Sequence, residues 1–206
     1  MIKRFSGFQK IRWAILFIIA VGTAGLALVQ RREAHGASLP VLGAVPEFSL
    51  MAEDGSTVTR GHLEGKIVVA DFVFTHCAGT CPTMTLQMRY LQETLANNGD
   101  VLFISVSVDP ERDTPERLLR YAKSVGARQG RWKFLTGEKT TIHQLARKGF
   151  HLGVEEDGGP EAEPIIHSSS FVLLDRQSRI RGYYNGTEHE SVQKLVEDIQ
   201  RLMGEE

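Results

Sequence analysis

Two cysteines, Cys77 and Cys81, are the only ones in this 206-residue chain, and three residues separate them. They follow the apolar run 67–74 and precede Pro82, which suits the first turn of a helix. Both thiols are therefore predicted at a strand-to-helix junction. A helix N-terminus presents unpaired N–H groups and a partial positive charge, which favour the thiolate that attacks disulfides and binds metals. The chemistry indicated is thiol exchange, soft-metal binding, or both.

A structural disulfide is the alternative for this pair, because an exported protein can keep its cysteines oxidised. A bridge across three residues would close a very small loop and contribute little stability. The spacing also differs from thioredoxin-type oxidoreductases, which have two residues between their cysteines. On a helical path, this spacing would place both sulfurs on one face about one turn apart, where two soft thiolates suit Cu(I).

Histidines are the candidates for a third ligand. His167 lies just before an apolar strand, in a loop that would face the thiol-bearing turn of a thioredoxin-like fold. It is either a metal ligand or a hydrogen-bonded loop histidine. His76 adjoins Cys77 and could lower its pKa or offer a nitrogen, although neighbouring residues on a strand point to opposite faces. Met84 and Met88 have helical spacing and are predicted as core residues rather than copper ligands.

Residues 1–32 are predicted to form a membrane anchor. The run 13–29 is 17 residues long without a charge, near the lower limit for crossing a bilayer. Four basic residues precede it, so the positive-inside bias puts the rest of the chain on the periplasmic or extracytoplasmic side. A cleaved signal peptide with a small-residue site near 34–37 is the alternative. The lack of a long Arg- and Ser-rich leader favours the bacterial inner (cytoplasmic) membrane over the mitochondrial inner membrane.

The remaining chain is divided into a tether, residues 33–46, and one domain, residues 47–206. The tether is polar and then punctuated by Pro and Gly. Residues 33–206 carry 18 Lys and Arg against 25 Asp and Glu, a net charge of about −7. A nucleic-acid partner would require a basic surface, so this charge excludes that class of function.

Strands and helices alternate along the predicted domain, which indicates an α/β fold. The predicted order is a strand at 67–74, a helix at 83–96, a strand at 101–108, a helix at 114–125, a strand at 132–135, a helix at 138–148, a hairpin at 169–184 and a helix at 190–203. This is the order of a thioredoxin-like fold. Segments 48–50 and 56–59, separated by Asp54-Gly55, predict an added N-terminal hairpin.

Three motifs in this order resemble the Sco/SenC family, over roughly residues 40–203. They are Asp71-Phe72-Val73-Phe74-Thr75-His76-Cys77-Ala78-Gly79-Thr80-Cys81-Pro82, Ser105-Val106-Ser107-Val108-Asp109-Pro110-Glu111-Arg112-Asp113-Thr114-Pro115, and Ile166-His167-Ser168 entering a strand. The resemblance implies a membrane-tethered, thioredoxin-like protein that binds a copper ion through Cys77, Cys81 and His167. It also implies a role in assembling the dinuclear copper A centre of cytochrome c oxidase. The implied partners are the oxidase subunit that carries this centre, other copper chaperones and thioredoxin-like reductants.

The resemblance implies a metallochaperone rather than an enzyme, with Cys77 and Cys81 as a redox-active pair whose disulfide would release copper. The alternative is a thiol–disulfide oxidoreductase or redox sensor acting on a partner's cysteines, which would tolerate the loss of His167. A peroxidase would need an arginine beside one activated cysteine, which the sequence does not place. Many members carry a bulkier triplet than 78–80 between the cysteines, a difference that would alter metal affinity or exposure of Cys81.

Two further segments have open interpretations. Asp109 is expected either to shape its own loop or to support a metal ligand from behind. The acidic, Gly-rich segment 155–161 is expected to be a solvated surface loop or a flap that moves His167 relative to the metal.

Overall fold

A computed structural model of the chain describes residues 13, 16–17, 38–77, 79–152 and 168–205. Backbone contacts group Leu39–Glu206 into one compact unit. The predicted membrane anchor, residues 1–32, lies mostly outside the described residues. Within the part of the chain that is described, no helix combines the length and apolar character needed to cross a bilayer.

Eight strands of the described chain form one mixed sheet. They are β1 (Gly43–Ala44), β2 (Ser49–Ala52), β3 (Thr57–Thr59), β4 (Ile67–Val73), β5 (Val101–Ser107), β6 (Trp132–Thr136), β7 (Ser170–Leu174) and β8 (Arg179–Asn185). Their order across the sheet is β1-β8-β7-β4-β5-β6-β2-β3. The strands β4, β5 and β6 are parallel, and the other neighbouring pairs are antiparallel. The sheet thus begins inside the predicted tether, 33–46, with β1.

Four α-helices flank this sheet in the described residues. They are α1 (Cys81–Thr94), α2 (Pro115–Val125), α3 (Lys139–Gln144), which continues as a π-helical turn over Leu145–Gly149, and α4 (His189–Gly204). A short 3-10 turn covers Arg60–His62. The predicted alternation of strands and helices is confirmed. The predicted N-terminal hairpin is also confirmed, and its β2 strand pairs with β6.

The central strand β4 is buried at all seven residues because both faces of the sheet are covered. Side chains alternate between the faces, so Ile67 and Val69 pack in one core with α1, α2 and α4. Val68 and Phe72 pack in a second core with α3 and the residues after it. The predicted core methionines of α1, Met84 and Met88, are fully buried, which confirms that prediction. The carboxyl end of β4 is therefore held from two sides and by two neighbouring strands.

The segment that follows β5 is shaped by a well-formed helix start. The Thr114 hydroxyl accepts a hydrogen bond from Arg117 N at 3.4 Å, and Pro115 occupies the first helical position, as predicted. Gly126 ends α2 in the left-handed conformation with a φ of 75°. These caps define both ends of α2, and its first turn lies beside the carboxyl end of β4.

A buried arginine fixes the point where the chain enters the domain. The Arg181 guanidinium donates to Leu39 O at 2.6 Å and 3.1 Å, and forms ion pairs with Asp175 and Glu205, both at 2.9 Å. In the strand register, Arg181 lies level with the amino-terminal half of β4. The chain therefore enters near the amino end of β4, whereas the cysteines follow its carboxyl end.

Asp71 is an acidic residue in the interior of β4, with only 1% of its surface exposed. Neither carboxyl oxygen has a hydrogen-bond partner among the described residues. Burial raises the pKa of Asp71 to about 7, with a weaker opposing effect from the Ser105 hydroxyl. The carboxyl group is thus neutral in the folded protein below about pH 7 and costly to ionise above it.

Asp71→Asn is expected to remove a pH-dependent loss of stability. Unfolded Asp71 titrates near pH 4 and folded Asp71 near pH 7, so the folded state binds more protons between these values. The free energy of unfolding of the wild-type protein should fall by up to about 4 kcal/mol relative to Asp71→Asn as the pH rises from 4 to 8. Denaturant titrations at five pH values in this range would measure the difference.

Asp54→Asn is the matched control for this prediction. Hydrogen bonds from Ser56 lower the pKa of Asp54 to about 2, so this carboxylate does not titrate between pH 4 and 8. The control should follow the wild-type pH profile in that window. A constant difference between wild type and Asp71→Asn across the window would contradict the prediction.

Candidate metal and thiol site

A tight turn joins β4 to α1 and carries both cysteines. The chain reverses directly after β4, where Cys77 N donates to Phe74 O at 3.3 Å. The helix then begins at Cys81, two residues earlier than predicted, because Pro82 has no N–H to satisfy and fits the first turn. Cys77 precedes the helix, so the expectation that both sulfurs lie on one helical path is wrong. The turn, rather than helical periodicity, brings Cys77 towards Cys81.

The two cysteines are free thiols in unequal surroundings. Cys77 is partly exposed, and its sulfur accepts a hydrogen bond from Gly79 N at 3.4 Å. Cys81 is 6% exposed and lies in the first turn of α1, against the core. One sulfur can therefore meet an ion or a partner in solvent, while the other is reached only through the turn.

The unequal surroundings separate the two thiol pKa values. Burial raises the pKa of Cys77, but hydrogen bonds from the Cys81 thiol and from the N–H groups of Cys81, Gly79 and Thr80 outweigh it and leave the pKa lowered. Burial raises the pKa of Cys81 to about 12, and its hydrogen bond to Cys77 adds to this effect. The expected activation by the helix N-terminus is thus found for Cys77 and is wrong for Cys81. Of the pair, Cys77 is therefore the thiol that loses its proton more readily, and Cys81 donates to it.

A buried carboxylate binds the first residue of the turn through hydrogen bonds. Asp113, with 0% exposure, accepts hydrogen bonds from Thr75 N at 3.0 Å and from the Thr75 hydroxyl at 2.5 Å. It also accepts from the Ser107 hydroxyl, at the end of β5, at 2.7 Å. Arg117 donates to the Thr75 hydroxyl at 2.7 Å and lies 3.5 Å from Asp113. This cluster of Thr75, Ser107, Asp113 and Arg117 is called the Asp113 cluster below.

His76 extends from the turn towards the β5–α2 loop. Arg112 Nη1 donates to His76 Nε2 at 2.5 Å, and the imidazole ring packs edge-on against Phe74 with centroids 5.3 Å apart. The Asp109 carboxylate lies 3.9 Å from His76 and 3.7 Å from Arg112. His76 thus contacts the β5–α2 loop, in which Asp109 N also donates to Ser107 Oγ at 3.2 Å.

The third predicted ligand, His167, lies outside the described residues, as does most of the loop before it, including segment 155–161. Within the described residues, no group of three His, Cys, Asp or Glu side chains is placed to hold a metal ion. The strand that follows His167 is nevertheless described. Because Ala70 pairs with Val172, the antiparallel β7 begins beside the carboxyl end of β4. Ser168 and β7 therefore start on the side of the sheet where the thiol turn lies.

Sequence reasoning missed Asp113 and Thr75 as parts of the site, although both stand in quoted motifs. The available signal was an acidic residue directly before the Thr114-Pro115 helix start, which is a place for a side chain to point back at a neighbouring turn. It also missed Asp71, where the signal was a charge within an otherwise apolar strand. Neither signal by itself identifies the partner that the carboxylate faces.

The comparisons with known proteins agree with this geometry. The SCO1/SenC family model matches residues 41–204. The SCO1 protein homolog of Bacillus subtilis (strain 168) is 35% identical over 181 residues, which cover 86% of this chain and 93% of that protein.

Solved structures show the same fold. BsSco, a member of the Sco family of cytochrome c oxidase assembly proteins with an identified disulfide switch, superposes with a TM-score of 0.69 at 34% identity and covers 81% of this chain and 98% of its own. Arabidopsis thaliana ScoI with copper bound has a TM-score of 0.63 at 26% identity and covers 77% of this chain and 99% of its own. The thioredoxin-like α/β architecture is thereby confirmed, and the chain belongs to the SCO1/SenC family, as its three motifs predicted.

Proposed function

We propose that this protein is a membrane-tethered copper metallochaperone, that Cys77, Cys81 and His167 hold the copper ion, and that the protein supports assembly of the copper A centre of cytochrome c oxidase. The observation that carries this proposal is the free thiol pair at the strand-to-helix turn of a SCO1/SenC family chain. The relatives support it, because one belongs to the cytochrome c oxidase assembly proteins and another binds copper.

The donor set fits copper as cargo. Two thiolates are soft ligands that favour Cu(I), and an imidazole is a suitable third ligand. Cys77 is partly exposed, so an incoming or departing ion can be exchanged with a neighbouring protein's ligands without unfolding the domain. Each thiol must lose its proton when it binds the ion, so we expect affinity to rise with pH.

The proposed location is the extracytoplasmic face of the bacterial inner membrane, where the predicted anchor would hold the domain. Within the domain, Leu39 O is bound by Arg181 near the amino end of β4, and the thiols follow the carboxyl end. A domain held at the membrane suits delivery to a membrane-bound oxidase subunit.

A second candidate function is thiol–disulfide exchange, and the unequal thiols favour it. The Cys77 thiolate would attack a partner's disulfide, forming a mixed disulfide and releasing one partner thiolate. Cys81 would then attack the Cys77 sulfur, with its proton passing to the second partner thiolate as that group leaves. Two electrons pass to the partner's disulfide, and Cys77–Cys81 becomes oxidised. The same oxidation would remove both sulfur ligands, so copper occupancy would depend on redox state.

A Cu(I) titration against a competing chelator tests the copper site. The full-length protein in detergent should bind one Cu(I) in its reduced form and none tightly as the disulfide. His167→Ala should weaken binding by at least about tenfold, because one of three ligands is lost, and Cys77→Ala should abolish it. His189→Ala, which removes an exposed histidine at the start of α4, is the matched control.

Three results would count against the copper proposal. They are tight Cu(I) binding by the disulfide form, equal affinity of wild type and His167→Ala, and weak binding by the reduced wild-type protein. The last result, together with reduction of a protein disulfide by the dithiol, would favour the exchange function.

Alkylation of the reduced protein tests the unequal thiols. Iodoacetamide should modify Cys77 first, while Cys81 stays unmodified. The pH dependence of the Cys77 rate should have its midpoint below the pKa of an ordinary thiol. Cys81→Ala should move the Cys77 midpoint to higher pH, because the thiol donor is lost. Mass spectrometry of digested samples across a pH series measures both rates.

Thr80→Ala is the control for the alkylation series, since Thr80 supports Cys77 through its backbone N–H, which the substitution keeps. Its midpoint should match the wild type. Similar rates for the two cysteines near neutral pH would show that the asymmetry is wrong.

A further inference from the structure

The Asp113 cluster controls the residue from which the thiol turn starts. Both hydrogen-bond donors of Thr75 are bound, because its backbone N–H donates to Asp113 Oδ2 at 3.0 Å and its hydroxyl donates to Oδ1 at 2.5 Å. Rotation of the side chain would break the hydroxyl bond, and a shift of the backbone would break the N–H bond. Thr75 is thus fixed at the point where β4 has ended and α1 has not begun.

The carboxylate is itself held by two other residues. Ser107, at the end of β5, donates to Oδ2 at 2.7 Å. Arg117, in the first turns of α2, lies 3.5 Å from Oδ1 and also donates to the Thr75 hydroxyl at 2.7 Å. Because Asp113 is fully buried, water does not compete for these hydrogen bonds. The position of Thr75 is therefore set by β5 and α2, two elements outside the thiol turn.

The position of Thr75 also limits the position of Cys77, because the two residues are joined by a short turn. Only His76 separates it from Thr75, and Cys77 N donates to Phe74 O across the bend. Cys81, in contrast, is a buried residue of α1 and is held by that helix. The two sulfurs are therefore positioned by different parts of the fold, and their mutual distance depends on how firmly Thr75 is held.

We propose that Asp113 is a positioning residue for the dithiol: through Thr75 it keeps the Cys77 sulfur within reach of Cys81, and so sets the dithiol–disulfide equilibrium and, resting on the proposed function, the Cu(I) affinity. Bonding both sulfurs to each other, or to one ion, requires the two sulfurs to lie near one another, although a disulfide needs the closer approach. A looser turn lowers the effective concentration of one sulfur at the other, which disfavours both bonded states. An acceptor-only carboxylate suits this role because all of its described neighbours in the cluster are donors.

The test compares two substitutions that each remove one hydrogen bond to Asp113. Thr75→Val removes the hydroxyl on the thiol turn, whereas Ser107→Ala removes the hydroxyl on β5 and leaves the turn bound. Thr75→Ser keeps the hydroxyl and serves as the conservative rescue. The full-length protein in detergent is measured for melting temperature, for the dithiol–disulfide potential against glutathione without copper, and for Cu(I) affinity by chelator competition.

Thr75→Val should shift the dithiol–disulfide equilibrium about tenfold towards the dithiol, which makes the potential about 30 mV less negative. Its Cu(I) dissociation constant should rise about tenfold. Ser107→Ala should change either value less than about threefold at a similar loss of melting temperature, and Thr75→Ser should match the wild type. Equal effects of Thr75→Val and Ser107→Ala, or no effect of Thr75→Val on the potential, would overturn the proposal.

Failure of the copper function can be distinguished from failure of the positioning role. If the wild-type protein holds no Cu(I) while Thr75→Val still shifts the potential, the copper function fails and the positioning role stands. If Thr75→Val does not fold, Asp113→Asn takes its place, because it keeps the side-chain volume and replaces one acceptor oxygen with an NH2 donor. An unchanged potential in a folded Asp113→Asn protein would overturn the proposal.

Discussion

The complete burial of β4 is the constraint on which the rest of the site depends. Its two neighbours, parallel β5 and antiparallel β7, pair along its edges, and cores on both faces cover its side chains. A strand held in this way has a well-defined carboxyl end, and the thiol turn starts there. β5 ends beside the carboxyl end of β4, and β7 begins there. The β5–α2 loop and the residues that follow His167 therefore lie close to the start of the thiol turn.

Two buried carboxyl groups near this point differ in how their burial is compensated. Asp113 accepts hydrogen bonds from Thr75 and Ser107 and has Arg117 beside it, so its position is determined by several elements. Asp71 has no hydrogen-bond partner among the described residues, and burial raises its pKa to about 7. The first group organises the turn, whereas the second makes the central strand sensitive to pH.

The unequal thiols connect the two candidate functions. A partly exposed sulfur with a lowered pKa can bind an ion or attack a disulfide, and a buried sulfur that donates to it can complete either reaction. What separates the two proposals is the third ligand, because the proposed copper site uses His167 and thiol exchange does not. A measurement on His167 therefore distinguishes the two functions, whereas the turn after β4 is common to both.

The sequence alone determined the order of strands and helices, the capped start of α2 at Thr114 and the position of Cys77 and Cys81 at a strand-to-helix junction, because these depend on local periodicity and on nearby residues. Tertiary structure decided which thiol is activated, since burial of Cys81 outweighs its place at a helix N-terminus. It also decided that Asp113 binds Thr75, 38 residues away in sequence. Such contacts arise because β4 and β5 are neighbours in the sheet. The spacing of residues along the chain does not predict which strands are neighbours.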